Sequence, residues 1–136
     1  MRVAKIIVIA FVAWAGIVLA FESLLGVIQP EAGTTLVITT TDASGNPHRR
    51  VVSRLESGSS IYVAANHWPR AWYYQALANP DVRVTSDGNE LDYVAIPVGH
   101  VEHARVEAEH PHGVLFRILT GFPPRYFLRL EPKPAR

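Results

Sequence analysis

Six chemistry-bearing side chains sit close together in the stretch "NHWPRAWYYQALANPDV", which runs from Asn66 to Val82. Asn66, His67 and Arg70 supply hydrogen-bond donors suited to a carbonyl or an anion, His67 or Trp68 can stack on a flat ring, and Trp72 and Tyr73 bring large aromatic surfaces that a helix can pack against the domain. The stretch follows an apolar strand-like run and opens a helix. Binding groups favour loops held by a rigid scaffold, and a helix start favours negative charge. Asn66, His67 and Arg70 are therefore expected to face a ligand from the loop. Trp72 and Leu77 are expected to pack the helix against the rest of the domain, with the alternative that the Trp72 indole is itself a pocket wall.

Other chemistries find less support. His100 and His103 lie in "HVEHARVEA", which reads as a strand, where they would point to opposite faces and could not share an ion. His110 and His112 flank Pro111 with no acidic partner at a familiar spacing, so no metal site is expected. The chain has no cysteine, which removes disulfide and thiolate chemistry. No Gly-x-Ser-x-Gly nucleophile turn occurs. A formal charge of +1 with no basic block argues against nucleic acid as a partner.

The elements that must position the loop are short. "TTLVITTT" is β-branched and reads as a strand, "DASGN" as a turn, and "PHRRVVSRL" as the returning strand. "IYVAA" is a compact buried strand after the turn "SGS". Ala71 to Ala78 forms a helix that ends before Asn79-Pro80. "VRVTS", the turn "DGN" and "ELDYVAIPV" make a hairpin. A strand to Glu109, a helix over about Pro111 to Leu119 and a last strand "RYFLRLE" complete a mainly β (α+β) domain of six to seven antiparallel strands with two short helices, arranged as a small barrel. At 136 residues there is room for one such domain.

The N-terminus is a separate object. Ile6 to Ile28 is long enough to span a bilayer and has Glu22 near its far end, and Pro30 ends the helix. A cleaved signal peptide is the rival reading, with Arg2 and Lys5 as its basic region. The run lacks a clean small-x-small cleavage site after Leu19, which favours a retained single-pass anchor over residues 1–30, ahead of a domain over 31–136. Arg2 and Lys5 place the domain weakly on the outer side of the cell membrane.

"TTTDASGNPHRRVV", "IYVAAN", "PRAWYYQALANPDVRV" and "RYFLRLEP" resemble, in order and type, the split β-barrel deazaflavin (coenzyme F-420)-dependent nitroreductase and quinone reductase family, over about Leu36 to Pro132. The resemblance implies a split β-barrel holding a deazaflavin or FMN, and hydride transfer to a quinone or nitroaromatic acceptor, with a homodimer possible. It implies a cofactor tail near Ser44 and Gly45, although Asp42 and Ala43 stand where the family has a basic pair. Arg49 and Arg50 follow closely enough to compensate for that loss, but they point to opposite strand faces, so only one of them can do so, and Arg50 is assigned that role. Asn66, His67, Arg70 and Trp72 replace the family's glycine-rich loop around the cofactor. These departures keep open a second reading, a non-catalytic barrel that binds an apolar ligand or a protein partner at the membrane.

Overall fold

The computed structural model describes residues 1–27, 34–66, 68 and 70–134. Six strands, β1 (Thr35–Thr41), β2 (Pro47–Ser57), β3 (Ser60–Ala65), β4 (Asp81–Ser86), β5 (Asn89–Pro97) and β6 (Tyr126–Pro132), close into an antiparallel barrel in the order β1-β2-β3-β6-β5-β4. Closure leaves no edge strand to protect. Side chains alternate across the wall: Leu36, Ile38, Val52, Val63, Ala65, Val82, Val84, Ala95, Leu128 and Leu130 fill the interior. Tyr62, Ala64 and Phe127 face outward from β3 and β6 and form a second buried cluster with Val106. "IYVAA" is apolar throughout because β3 is covered on both sides.

The turns explain the registers. Asp87 and Gly88 both take positive φ, 51° and 78°, between the paired Ser86 and Asn89. That is the two-residue turn whose twist suits a hairpin. Strand direction then places this turn and the Gly58-Ser59 turn at one end of the barrel, and the β1–β2 turn with both helical crossovers at the other. The candidate cleft described below lies at that second end.

The first crossover carries α2 (Ala71–Ala78), which buries Trp72 and Ala76, one turn apart. Leu77 points outward at 43% exposure, so the residue expected to pack beside Trp72 is Ala76 instead. Thr40 Oγ1 donates to Gln75 Oε1 at 2.6 Å and ties α2 to β1. The second crossover corrects the sequence reading: His100–Glu109 is a helix, α3, and not a strand. Val101 and Val106 are β-branched and favour a strand. The segment is nevertheless dominated by helix formers (Glu102, Ala104, Arg105, Glu107, Ala108), and Val106 docks on the outward faces of Tyr62 and Phe127. A bonded cluster fixes it there: Tyr62 and Arg129 donate to Glu102 Oε1 at 2.7 and 2.6 Å, and Arg105 reaches the Tyr62 hydroxyl at 3.1 Å. These donors hold the Glu102 carboxyl below its ordinary range, the Tyr62 hydrogen bond first. The helix after it, α4 (Val114–Leu119), is shorter than expected.

The N-terminal helix α1 (Arg2–Val27) is long and apolar enough to cross a membrane by length and composition. Its expected end at Ile28 to Pro30, and the boundary at Glu31, lie outside the described residues. One face of α1 meets the domain: Trp14 Nε1 donates to the Ile118 carbonyl at 3.0 Å and Phe21 meets Phe116 edge-on at 6.2 Å.

Candidate functional site at the helical crossovers

Where β3 gives way to α2, Arg70 closes the end of the barrel. Its side chain is 2% exposed, so it lies within the fold and does not reach out from the loop as expected. The guanidinium sits 4.4 Å from the Trp68 ring centre and 4.9 Å from that of Tyr126, and it donates to the Pro124 carbonyl. Tyr73 stacks on Tyr126 at 5.2 Å. Burial, and then the neighbouring Tyr126 and Tyr74, push the Tyr73 phenol up, so it stays neutral. Trp68, half exposed, is the outer plate of this stack. His67, expected to face the ligand, lies outside the described residues.

Beside the stack opens a cleft of about 420 Å³ lined by both crossovers, with Asn66, Glu107, His112, Arg117, Phe122 and Arg125 among its walls. Asn66 and Arg125 organise it. Arg125 Nε donates to Asn66 Oδ1 at 3.0 Å and Nη1 donates to the His110 carbonyl at 2.7 Å. Because a guanidinium only donates, this contact turns the Asn66 oxygen towards Arg125 and leaves the amide NH2 as the group available to a ligand. Arg125 is itself held from behind: the His103 ring donates from Nε2 to the Arg125 carbonyl at 2.9 Å and packs on Phe127. His110 donates to the Glu56 carbonyl at 2.9 Å. On α3 the first two histidines lie a turn apart and not on opposite strand faces, yet the described residues contain no group of three metal-ligating side chains.

The remaining expected residues are elsewhere. Ser44 and Gly45 are exposed at the tip of the β1–β2 hairpin. Continuing the register of β2 with β3, Ala65 is level with Val52, so the tip lies roughly 17 Å further along β2. Asp42 is the organiser of that tip. Its carboxylate accepts from the Ser44 and Asn46 amides, both at 2.9 Å, and from His48 Nε2 at 2.8 Å. The His48 hydrogen bond, followed by the Asn46 amide, lowers its pKa to about 2. Gly45 borders a separate hollow of about 380 Å³, walled by Asp81, Arg83, Asp92 and Lys133, whose charges offset one another. Arg50, opposite Ile38 on the inner face, reaches towards α1 with a long 3.5 Å contact to the Leu25 carbonyl. Trp72 belongs to the core. Thus Asn66 and Arg70 share one neighbourhood, while Ser44, Gly45, Arg50 and Trp72 lie apart from the cleft. Sequence reasoning missed Arg125, Arg117 and Phe122. The only signal for Arg125 was a charged residue between Pro124 and an apolar strand.

The chain matches, over residues 17–112, the family model described as F420H(2)-dependent quinone reductase. No curated protein matches. Among solved structures it is similar to HutZ, the heme storage protein from Vibrio cholerae (19% identity, TM-score 0.59, 85% of this chain and 87% of that one). It is also similar to an F420-H2 dependent reductase, FDR-A (22% identity, TM-score 0.56, 72% and 94%). A third similar structure is described as a domain-swapped dimer (20% identity, TM-score 0.57, 72% and 80%). At these identities the structures establish the split-barrel fold, and the family model establishes the lineage.

Proposed function

This chain belongs to the F420H(2)-dependent quinone reductase family, and on that premise we propose that it is an oxidoreductase that holds a deazaflavin at the Asn66–Arg125 cleft and reduces a quinone or similar flat acceptor. The observation that carries the placement is the Asn66–Arg125 pair, which presents donors at the mouth of a cleft of ligand size. A deazaflavin offers carbonyl acceptors on its ring and a phosphate on its tail, and the lining of this cleft sets the two guanidinium groups of Arg117 and Arg125 against the single carboxylate of Glu107. The hairpin tip does not fit a phosphate, because the Asp42 carboxylate there is ionised and committed to the turn.

When bound in its reduced form the cofactor supplies a hydride, which with one proton takes a quinone to the quinol. The chain supplies position and electrostatics. Asn66, oriented by Arg125, donates to a ring carbonyl; Arg117 and Arg125 offset negative charge; Phe122, Pro123 and Pro124 exclude water from one wall. Trp68, stacked on the buried Arg70, offers a flat face at the rim. Retention at the membrane through α1 would keep the enzyme beside a lipid-soluble acceptor.

Anaerobic mixing of the full chain with reduced deazaflavin and a soluble quinone tests the reading, with reoxidation followed by absorbance. Reoxidation dependent on the protein supports it. Turnover with reduced FMN and none with deazaflavin would replace the cofactor, and turnover with neither would favour a binding protein.

A further inference from the structure

Helix α4 packs only one of its sides. Phe116 turns inward, while Val114 and Leu115 are each 70% exposed and Phe122, just after the helix, 51%. The inward side meets α1. Trp14 donates to the Ile118 carbonyl at 3.0 Å, Phe21 meets Phe116, and the Val18 side chain lies 3.1 Å from where a Cβ on Gly121 would stand. Trp14, Val18, Phe21 and Leu25 recur at helical spacing and form the partly buried stripe of α1. Ile6, Val8, Ile9, Val12 and Leu19, off that stripe, are exposed.

Geometry then sets the depth of α4. At about 1.5 Å per residue, Trp14, Val18 and Phe21 lie roughly 12, 18 and 22 Å along α1 from Ile6. The hydrocarbon of a bilayer is about 30 Å thick. An α1 that spans the bilayer from Ile6 therefore carries α4 into the hydrocarbon with it.

The C-terminal backbone of α4 is compatible with that medium. The last carbonyls of a helix lack an intrahelical partner, and a left-handed turn commonly satisfies them. Here the Phe116 carbonyl accepts from the Thr120 amide at 3.0 Å and its hydroxyl at 2.8 Å, and the Arg117 carbonyl accepts from the Phe122 amide at 2.8 Å. The Ile118 carbonyl accepts from Gly121 at 3.3 Å and from the Trp14 indole. Gly121 and Phe122 reach these bonds through positive φ, 73° and 54°. Away from water, such groups must be satisfied internally.

We propose that α4 and the Gly121-Phe122 turn insert beside α1 as a second, non-spanning contact of the domain with the bilayer. The bilayer is the occupant because the exposed faces of α1 and α4 adjoin through the Trp14, Val18 and Phe21 contacts, and the first of these faces already has the length and apolarity of a span. Arg117 lays its guanidinium 5.4 Å from the Phe122 ring, so its stem covers part of the apolar surface of the turn. Since Arg117, Thr120 and Phe122 also line the candidate cleft, insertion of this turn brings the rim of the cleft against lipid, the medium that holds a lipid-soluble acceptor. The placement rests on retention of α1 in the bilayer, and the access route rests in addition on the redox reading.

The absence of cysteine allows a direct test. Single variants Val8→Cys, Leu115→Cys and Asn89→Cys of the full chain are labelled with a polarity-sensitive fluorophore and reconstituted in phosphatidylcholine vesicles. They are then exposed to nitroxide-bearing lipids or to aqueous iodide. Labels at Val8 and Leu115 should lose about half their emission or more to the acyl-chain nitroxide and be protected from iodide, as expected for groups seated in hydrocarbon. The label at Asn89, in the turn at the opposite barrel end, should show the reverse. Nitroxide quenching at Val8 with iodide quenching at Leu115 would overturn the proposal while sparing the α1 anchor. Protection of Leu115 from both quenchers would mean that a second copy covers α4, and absence of lipid quenching at Val8 as well would refute retention of α1. None of these readings involves the cofactor, so the redox proposal stands or falls separately.

Discussion

Asp42 and Arg70 show how far a charged residue's role depends on what folds around it. Asp42 stands where a resemblance to the family expects a basic group, and by sequence it reads as a phosphate-repelling substitution. In the fold it is the acceptor that shapes the hairpin tip. Its folded pKa of about 2 lies below the ordinary 3.8. The contribution to the turn is therefore complete above about pH 4 and is lost as pH falls through about 2. A carboxyl-detected NMR titration should show this depressed value, and His48→Ala should raise it. It also follows that replacing Asp42 with Arg would dismantle the turn, whereas Ala43→Lys, at an exposed position, leaves it intact. Arg70 looked like a loop residue because nothing local shows that the Tyr126 ring and the Pro124 carbonyl, from beyond Pro123, will enclose it against the neighbouring Trp68. Its burial predicts that Arg70→Ala loses about 2 to 4 kcal/mol, from charge-assisted hydrogen bonding and cation–π contact together. Urea denaturation of the variant measures this, and an unchanged midpoint would contradict the enclosed geometry.

At the scale of elements, the strands were legible and α3 was not. β1, β3 and the β4–β5 hairpin announce themselves by β-branched runs and by Asp87-Gly88, both local signals. The helical state of His100–Glu109 is fixed by an outward apolar patch of Tyr62, Ala64 and Phe127 that needs a cover, and that patch exists only after β3 and β6 pair. α2 was read correctly in extent, yet its packing face was misjudged by one position: Ala76, small and one turn from Trp72, enters the core in place of Leu77. Trp72→Ala should accordingly cost about 3 to 5 kcal/mol, seen as a fall of several degrees in Tm with or without ligand. Leu77→Ala should change stability by only about 0.5 kcal/mol. Equal effects of the two substitutions would contradict the observed face.

The whole molecule combines a closed barrel with an apolar helix whose later half is packed on it. Ile6 to Phe21 announced a span by composition, but its stripe of contacts with α4 was illegible because Trp14, Val18 and Phe21 are as apolar as the rest of the run, and the burial of Glu22 just beyond them is set only in the fold. The full chain should remain with membranes through an alkaline carbonate wash, and release by the wash would refute the anchor. The candidate cleft was half legible: the sequence pointed to the β3–α2 junction and to Asn66, while Arg125 and Arg117 come from a crossover about fifty residues later, a pairing that exists only once the barrel closes. The central claim is that this cleft, and not the hairpin tip, receives the deazaflavin. Fluorescence titration of the cofactor into the parent chain, Asn66→Asp and Ala43→Lys tests it most directly. Asn66→Asp keeps a partner for Arg125 but replaces the amide donor with a negative charge. Affinity should fall about tenfold or more, at least about 1.4 kcal/mol, at an unchanged Tm, and Ala43→Lys should bind as the parent does. Undiminished binding by Asn66→Asp, together with tighter binding by Ala43→Lys, would move the cofactor to the hairpin and contradict the account.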